Sequence, residues 1–359
     1  MQQVSINSIG GPLAVAYTIA TPTSPSAKAI NPSLPTVLLL HPLYLGQICL
    51  HYQFADARLR QFNLVAVDLR NFGDSVGPVK PSYDVGEAVD DVVKFMEALA
   101  LPAVHIVGIN LGAMVAIELA ALWPQRVASL TAISPPAMEE VGLNSLSPPT
   151  PNSSQPAEVA EGRREILEYW AAAFGSECQA EPVDESALLD AVTGALQLGL
   201  NGVEDPLIAP VINIALGMVK RHQTAANLDA YERTTVSFFT ERSPPTLRGI
   251  ACPVLLVHCG QDIAYDRAGT EALREAMLQA GVESVRLEDV PEAPQWGHIT
   301  HPKEVNQLIY DHVIECAAEQ NIPTALKSSP VSPFSAALNA AGFLKSLGDE
   351  SDSEDDDSD

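Results

Sequence analysis

Basic residues are scarce in this chain: 20 Lys and Arg stand against 45 Asp and Glu, a formal net charge of −25 over 359 residues. A nucleic-acid binder needs a basic face to neutralise phosphates, so that class of partner is excluded. Docking on anionic lipid through a polybasic patch is excluded on the same ground. The five cysteines (Cys49, Cys178, Cys252, Cys259, Cys316) are odd in number, widely spaced and without a C-x-x-C pair. They support neither a disulfide framework nor a zinc site. The eight histidines show no H-x-x-x-H or H-E-x-x-H spacing, and no glycine-rich phosphate loop follows the first strands. No metal and no nucleotide cofactor is therefore expected. No uninterrupted apolar run reaches the ~18 residues of a membrane span. The opening MQQVSINSIGG lacks the charged-then-apolar pattern of a secretory signal. The C-terminus carries no peroxisomal or endoplasmic-reticulum address. A soluble protein of a reducing compartment, the cytoplasm, is the expectation.

What the chain does have is core-forming material, with 47% hydrophobic residues. Its length suggests about two domains, or one large domain with an insertion. Near-continuous Val/Ile/Leu runs at 12–20, 35–40, 63–68, 103–109, 127–133 and 253–258 read as strands covered on both faces of a parallel sheet. Between them, 84–100 has a helical period and 111–122 is a helix stopped before Pro124. Such alternation predicts an open, mostly parallel α/β sheet. It breaks between about 138 and 248, where a Pro/Ser-rich loop (144–158) precedes helix-period segments around 160–175, 186–200, 206–221 and 224–240. The expected division is a core in two parts, 1–137 and 249–322, with a helical lid at 138–248. Residues 323–359 follow as a linker, a short amphipathic helix at 333–347 and an acidic tail. From Gly348 to Asp359 there are eight acidic and no basic residues, leaving 37 acidic against 20 basic, or −17, for the rest.

Four motifs follow in order. Strand 35–40 ends in His41-Pro42-Leu43-Tyr44-Leu45-Gly46, and strand 63–68 runs into Asp68-Leu69-Arg70-Asn71-Phe72-Gly73-Asp74-Ser75. Strand 103–107 ends in Gly108-Ile109-Asn110-Leu111-Gly112 and opens directly into a helix. Strand 253–258 ends in Cys259-Gly260-Gln261-Asp262, with Trp296-Gly297-His298 further on. Over roughly residues 12–316 the chain resembles the α/β-hydrolase superfamily, in its lid-bearing esterase- and epoxide-hydrolase-like branch.

The resemblance implies a sharp strand-to-helix turn whose apex holds the family's Ser, Cys or Asp nucleophile. Here the apex is Asn110. A carboxamide nitrogen is delocalised and cannot replace a serine hydroxyl as acyl acceptor, so the usual covalent mechanism is absent. His298 matches the family's general base and Asp262 the acid that orients it, with Asp266 as an outside substitute. His301 matches no catalytic position and is read as structural. The oxyanion hole falls to the backbone N–H groups of Leu43 and Leu111; Pro42 replaces the usual glycine but leaves the donor of Leu43 in place. Asp68, Arg70, Gly73 and Ser75 match a D-x-R-x-x-G-x-S segment whose role is a structural turn. Ser75, Ser134 and Cys259 are weak substitutes for the missing nucleophile, the thiol reading as buried packing.

Two functions follow. One is an enzyme acting on a small, largely apolar metabolite bearing an ester, ketone or hydroxyl, by His298–Asp262 base chemistry with Asn110 as positioning group: non-covalent hydrolysis or a lyase-type reaction. The other is a catalytically silent hydrolase-fold protein that binds a ligand in an apolar pocket beneath the lid, where Trp170, Phe174, Leu207, Ile208, Ile212, Met218, Phe238 and Phe239 either line a cavity or pack on the core. A third role belongs to the tail, where Ser351 and Ser353 each precede an acid by three residues. That spacing suits an acidophilic kinase, or a basic protein partner.

Overall fold

Strand interiors made of Val, Ile, Leu and Ala on both faces demand cover on both faces, and the fold supplies it. The structure, a computed structural model, describes residues 1–137, 157–174, 184–222, 228–240, 247–317 and 330–343. In chain order its strands and helices are β1 (Gln2–Ser8), β2 (Gly11–Ala20), β3 (Thr36–Leu40), α1 (His51–Ala55), β4 (Asn63–Val67), α2 (Val85–Ala98), β5 (Val104–Ile109), α3 (Leu111–Leu122) and β6 (Val127–Ile133). The helices α4 (Ala157–Phe174), α5 (Glu185–Leu200), α6 (Ile208–His222), α7 (Leu228–Glu232) and α8 (Phe238–Thr240) follow. The chain then returns to β7 (Val254–Cys259), α9 (Arg267–Gln279), β8 (Val285–Val290), α10 (Gly297–Thr300), α11 (Pro302–Cys316) and α12 (Ser335–Ala340).

Among the described residues, eight strands form one sheet in the order β1-β2-β4-β3-β5-β6-β7-β8, parallel from β4 onward, with β2 antiparallel to both neighbours. Alternate side chains sort to two cores, as the period-2 pleat requires. Leu38 and Leu40 of β3 face the layer built on α2, α3 and α9, while Val37 and Leu39 face the layer built on α1 and α11. The α/β-hydrolase architecture expected from the sequence is thus the one found. Asp84 caps α2, its carboxylate accepting from the Glu87 N–H at 2.9 Å.

Two strands escaped the sequence reading. β1 is an edge hairpin strand (QQVSINS) and β8 (VRLEDV) is the opposite edge, both half-exposed and polar along one face. Neither has the continuous apolar run of a strand covered on both sides. The segment expected to be helical at 224–240 is interrupted: α7 and α8 are joined by a π-helical stretch, Arg233–Ser237. Most of the Pro/Ser-rich loop and the acidic tail lie outside the described residues. Among the described residues, no helix is long and apolar enough to cross a membrane.

Candidate active site

Asn110 sits at a sharp apex between β5 and α3, with φ 48° and ψ −106°. A non-glycine residue there carries strain of about 1–3 kcal/mol, tolerated where the surroundings over-determine it. Two glycines provide that determination. A Cβ on Gly108 would lie 2.2 Å from the Gly112 carbonyl oxygen, and one on Gly112 would lie 2.4 Å from that of Leu40. The turn therefore closes only with glycine on both sides, and it presses the start of α3 against the end of β3. There the chain continues into His41, Pro42 and Leu43. The His41 ring is fixed with Nδ1 on the Pro42 carbonyl at 2.8 Å and Nε2 accepting the Leu69 N–H at 3.1 Å. Burial lowers its pKa to about 4, offset in part by the Pro42 contact.

Backbone hydrogen bonds chain the neighbouring strand ends together. The Asn110 N–H donates to Ile133, the Ser134 N–H to Val257 and the Asp262 N–H to Cys259. The loop before His298 is tied to the acid loop by Gly260 N–H to Val290 and Gln261 N–H to Ala293. Gly297 packs on Cys259, where a Cβ would meet the sulfur at 2.9 Å. The elbow, acid and histidine loops thus occupy one edge of the sheet, at the C-terminal ends of its parallel strands.

The side chains there are buried and unusually short of partners. His298 is 0% exposed and Asn110 1% exposed. Among the described residues, both ring nitrogens of His298 and both amide atoms of Asn110 make no hydrogen bond. Buried polar atoms in that state each cost about 1–3 kcal/mol, so two such residues at one edge call for a functional account. Burial drives His298 down to about 3, with His41 adding a smaller push, so the imidazole is neutral. Asp262 retains some exposure as a residue, but its Oδ2 is buried. Burial pushes its carboxyl up to about 7, against the pull of the Ala264 and Tyr265 N–H groups, the Ser134 hydroxyl and Arg163. Its Oδ1 accepts from those two N–H groups at 2.9 and 3.2 Å. The structure therefore brings Asp262 to the histidine's edge of the sheet without a hydrogen bond between the two side chains.

The remaining sequence candidates separate cleanly. Asp266 caps α9, accepting the Gly269 N–H at 2.8 Å. His301 precedes α11 and contacts the Thr300 hydroxyl. Asp68 knots its loops by accepting from Gln47 and from the Asp74 N–H, and Gly73, at φ 55°, leaves room for that carboxylate. Arg70 makes a bidentate pair with Asp91 at 2.7 and 2.8 Å. Ser75 bridges the Asp68 carbonyl and the Ala16 N–H. The Cys259 thiol is buried and pushed up to about 12. Ser134 directly follows β6 at φ 42°, a second positive-φ residue beside the elbow. Its identity alone gave no signal of that conformation.

A partly open cavity lies between α4, α5, α6 and α7 and the loops at 44–48 and 71–75. Its wall is aromatic: Tyr44, Phe72, Trp170, Tyr231 and Trp296, with Trp170 stacked on Tyr231 at 4.4 Å. Of the apolar residues expected to line a pocket, Trp170 and Ile212 do so, whereas Leu207, Phe238 and Phe239 are packed into the core. The side chains of Phe174 and Met218 lie outside the described residues. Ile208 packs against the core from its edge. Tyr44 follows the expected oxyanion donor Leu43, and Trp296 stands two residues before His298. Among the described residues, Asn110, Asp262 and His298 themselves do not line the cavity. No group of three or more His, Cys, Asp or Glu among the described residues is arranged to hold a metal ion.

A family model described as "Alpha/beta hydrolase family" matches residues 37–308. The chain is 23% identical over 304 residues to the bifunctional epoxide hydrolase 2 of Mus musculus, covering 77% of this chain and 51% of the relative. It thus spans about half the length of that protein. In structure it is similar to a thermophilic esterase from Thermogutta terrifontis, with TM-score 0.61 and 18% identity over 89% of this chain and 100% of the esterase. It is similar as well to the enol-lactonase from Burkholderia xenovorans LB400, with TM-score 0.60 and 18% identity over 87% and 100% of the two chains.

Proposed function

The chain belongs to the alpha/beta hydrolase family, and from that premise we propose that it is an enzyme that acts on a small, largely apolar metabolite through His298 and without a covalent acyl-enzyme. The observation that carries this reading is that two polar side chains at the same edge of the sheet, His298 and Asn110, are buried without partners. A neutral imidazole is the form a general base requires. For an ester substrate, His298 takes a proton from water as the oxygen attacks the carbonyl, then returns it to the departing alkoxide. The developing oxyanion is held by the Leu43 and Leu111 N–H groups. Asn110 donates its amide N–H to the same oxygen or orients the water. Asp262, as carboxylate, stabilises the imidazolium while it exists. With a ketone or hydroxyl substrate the same base removes a proton from carbon or oxygen.

A second reading rests on a different observation, that the aromatic cavity is not lined by Asn110, Asp262 or His298. In that reading the fold binds a ligand without transforming it. A p-nitrophenyl ester panel on wild type, Asn110→Ser and Asn110→Ser/His298→Ala separates the two. The enzyme reading expects Asn110→Ser to acquire esterase activity that disappears in the double variant. A folded Asn110→Ser that stays inert leaves the binding reading standing.

A further inference from the structure

The acid loop is roofed by the inserted helices. Ala264 and Tyr265 form a small apolar cluster with Ile166 of α4 and Leu198 of α5. From the same turn of α4 comes Arg163, 4% exposed although arginine is among the residues least often buried. Its guanidinium lies 4.7 Å over the Phe239 ring and 5.4 Å over the Tyr265 ring, and it donates to the Tyr265 hydroxyl. The backbone N–H of that same Tyr265 donates to Asp262 Oδ1 at 3.2 Å. We propose that Arg163 is a positioning residue for Asp262: it fixes the acid loop through Tyr265 and supplies a positive field that favours the Asp262 carboxylate while α4 lies over it.

Among the described residues, the side chains that face Asp262 come from four places: Arg163 from α4, the Ser134 hydroxyl after β6, the Cys259 thiol from the end of β7, and the Gln295 amide ahead of α10. Of these four, Arg163 is the cation. Burial favours the protonated acid, and a guanidinium in the same low-dielectric region opposes it. The stacked, always-charged arginine suits that task better than lysine, whose strongly hydrated ammonium resists burial. The inference rests on the reading in which His298 is the base, because only a charged Asp262 stabilises an imidazolium. It implies that α4, in covering the acid, also brings the cation that offsets part of the cost of burying its charge.

The test is a carbon-13 NMR titration of protein labelled at the Asp side-chain carboxyls, with the Asp262 signal assigned by Asp262→Asn. In Arg163→Met the titration midpoint is expected to rise by on the order of one pH unit, while Arg163→Lys, cationic but harder to bury, gives an intermediate midpoint. Arg163→Gln serves as the neutral variant if methionine prevents folding. An unmoved midpoint in a folded neutral variant overturns the proposal, since a purely structural arginine would alter melting temperature alone. Esterase activity toward p-nitrophenyl butyrate in the Asn110→Ser background supplies the independent arm. Activity surviving His298→Ala there defeats the base reading, whereas the NMR midpoint still decides what Arg163 does to Asp262.

Discussion

A left-handed backbone at Asn110 is imposed by its neighbours rather than chosen by it, and the glycines are where that imposition can be measured. A Cβ at Gly112 would lie 2.4 Å from the Leu40 oxygen, 2.7 Å from the Leu40 carbon and 2.8 Å from the His41 oxygen, all backbone atoms with no side chain to swing away. Gly112→Ala is therefore expected to destabilise by about 2–3 kcal/mol. Gly162, inside α4 with nothing within 4 Å of its Cβ position, is the control. Gly162→Ala is expected to stabilise by about 0.5–1 kcal/mol through helix propensity. Urea unfolding of both reads the contrast, and equal small effects would mean the elbow is not sterically locked. Much of this site was legible because the information is local: Gly108, Asn110 and Gly112 sit within five residues on a strand–helix junction. The Asp262–Tyr265–Arg163 relation was not legible. It joins residues about a hundred apart in sequence, and Arg163 on a helix reads as an ordinary surface charge until the fold buries it.

Elements were read well where their apolar pattern was intrinsic and poorly where packing supplies it. α3, apolar around its whole circumference, and β3 through β7, buried on both faces, announce themselves. β1 and β8 do not, since an edge strand is held by one partner and keeps a wet polar face. The short helix expected at 333–347 is real but smaller, α12 covering Ser335–Ala340, with Leu347 outside the described residues. Phe334, Leu338 and Phe343 are buried in the core layer of α1 and α11, and α12 packs against α6 of the cavity wall. Phe334 meets Phe54 edge-on at 5.1 Å and Phe343 meets His51 at 5.1 Å. The Val331 carbonyl accepts from buried Arg60. This segment, beyond the residues the family model matches, is thus bonded to the core rather than appended to it. Phe334→Ala is expected to cost about 3 kcal/mol, the scale for deleting a buried aromatic. A loss below about 0.5 kcal/mol, the scale of a surface change, would mean the segment is only loosely held.

At the scale of the whole molecule, the surface charge and the buried titratable groups pull stability in different directions with pH. Burial holds His41, His51 and His105 down to about 4 and His298 to about 3. In the unfolded chain each takes a proton as pH falls through its ordinary value near 6.5. Their contribution is therefore complete above 6.5 and is lost progressively as pH drops toward 4. Asp68 and Asp262, raised to about 6 and about 7, run the other way, because the folded chain keeps two protons that the unfolded chain releases above about 4. Near pH 5.5 nearly four histidine protons favour the unfolded chain against nearly two carboxyl protons that favour the fold, a difference of about two. Stability should then fall by roughly 2–3 kcal/mol per pH unit below 6.5. The −25 formal charge acts in the opposite sense, since partial neutralisation relieves self-repulsion, so the measurement belongs at high salt where that repulsion is screened. Urea midpoints at pH 5.5, 6.5 and 7.5 decide it, and a midpoint that rises from 6.5 to 5.5 would show the two carboxyls outweighing the four imidazoles. The burial that leaves His298 uncharged for base chemistry is, on this account, the same burial that makes the fold labile to acid.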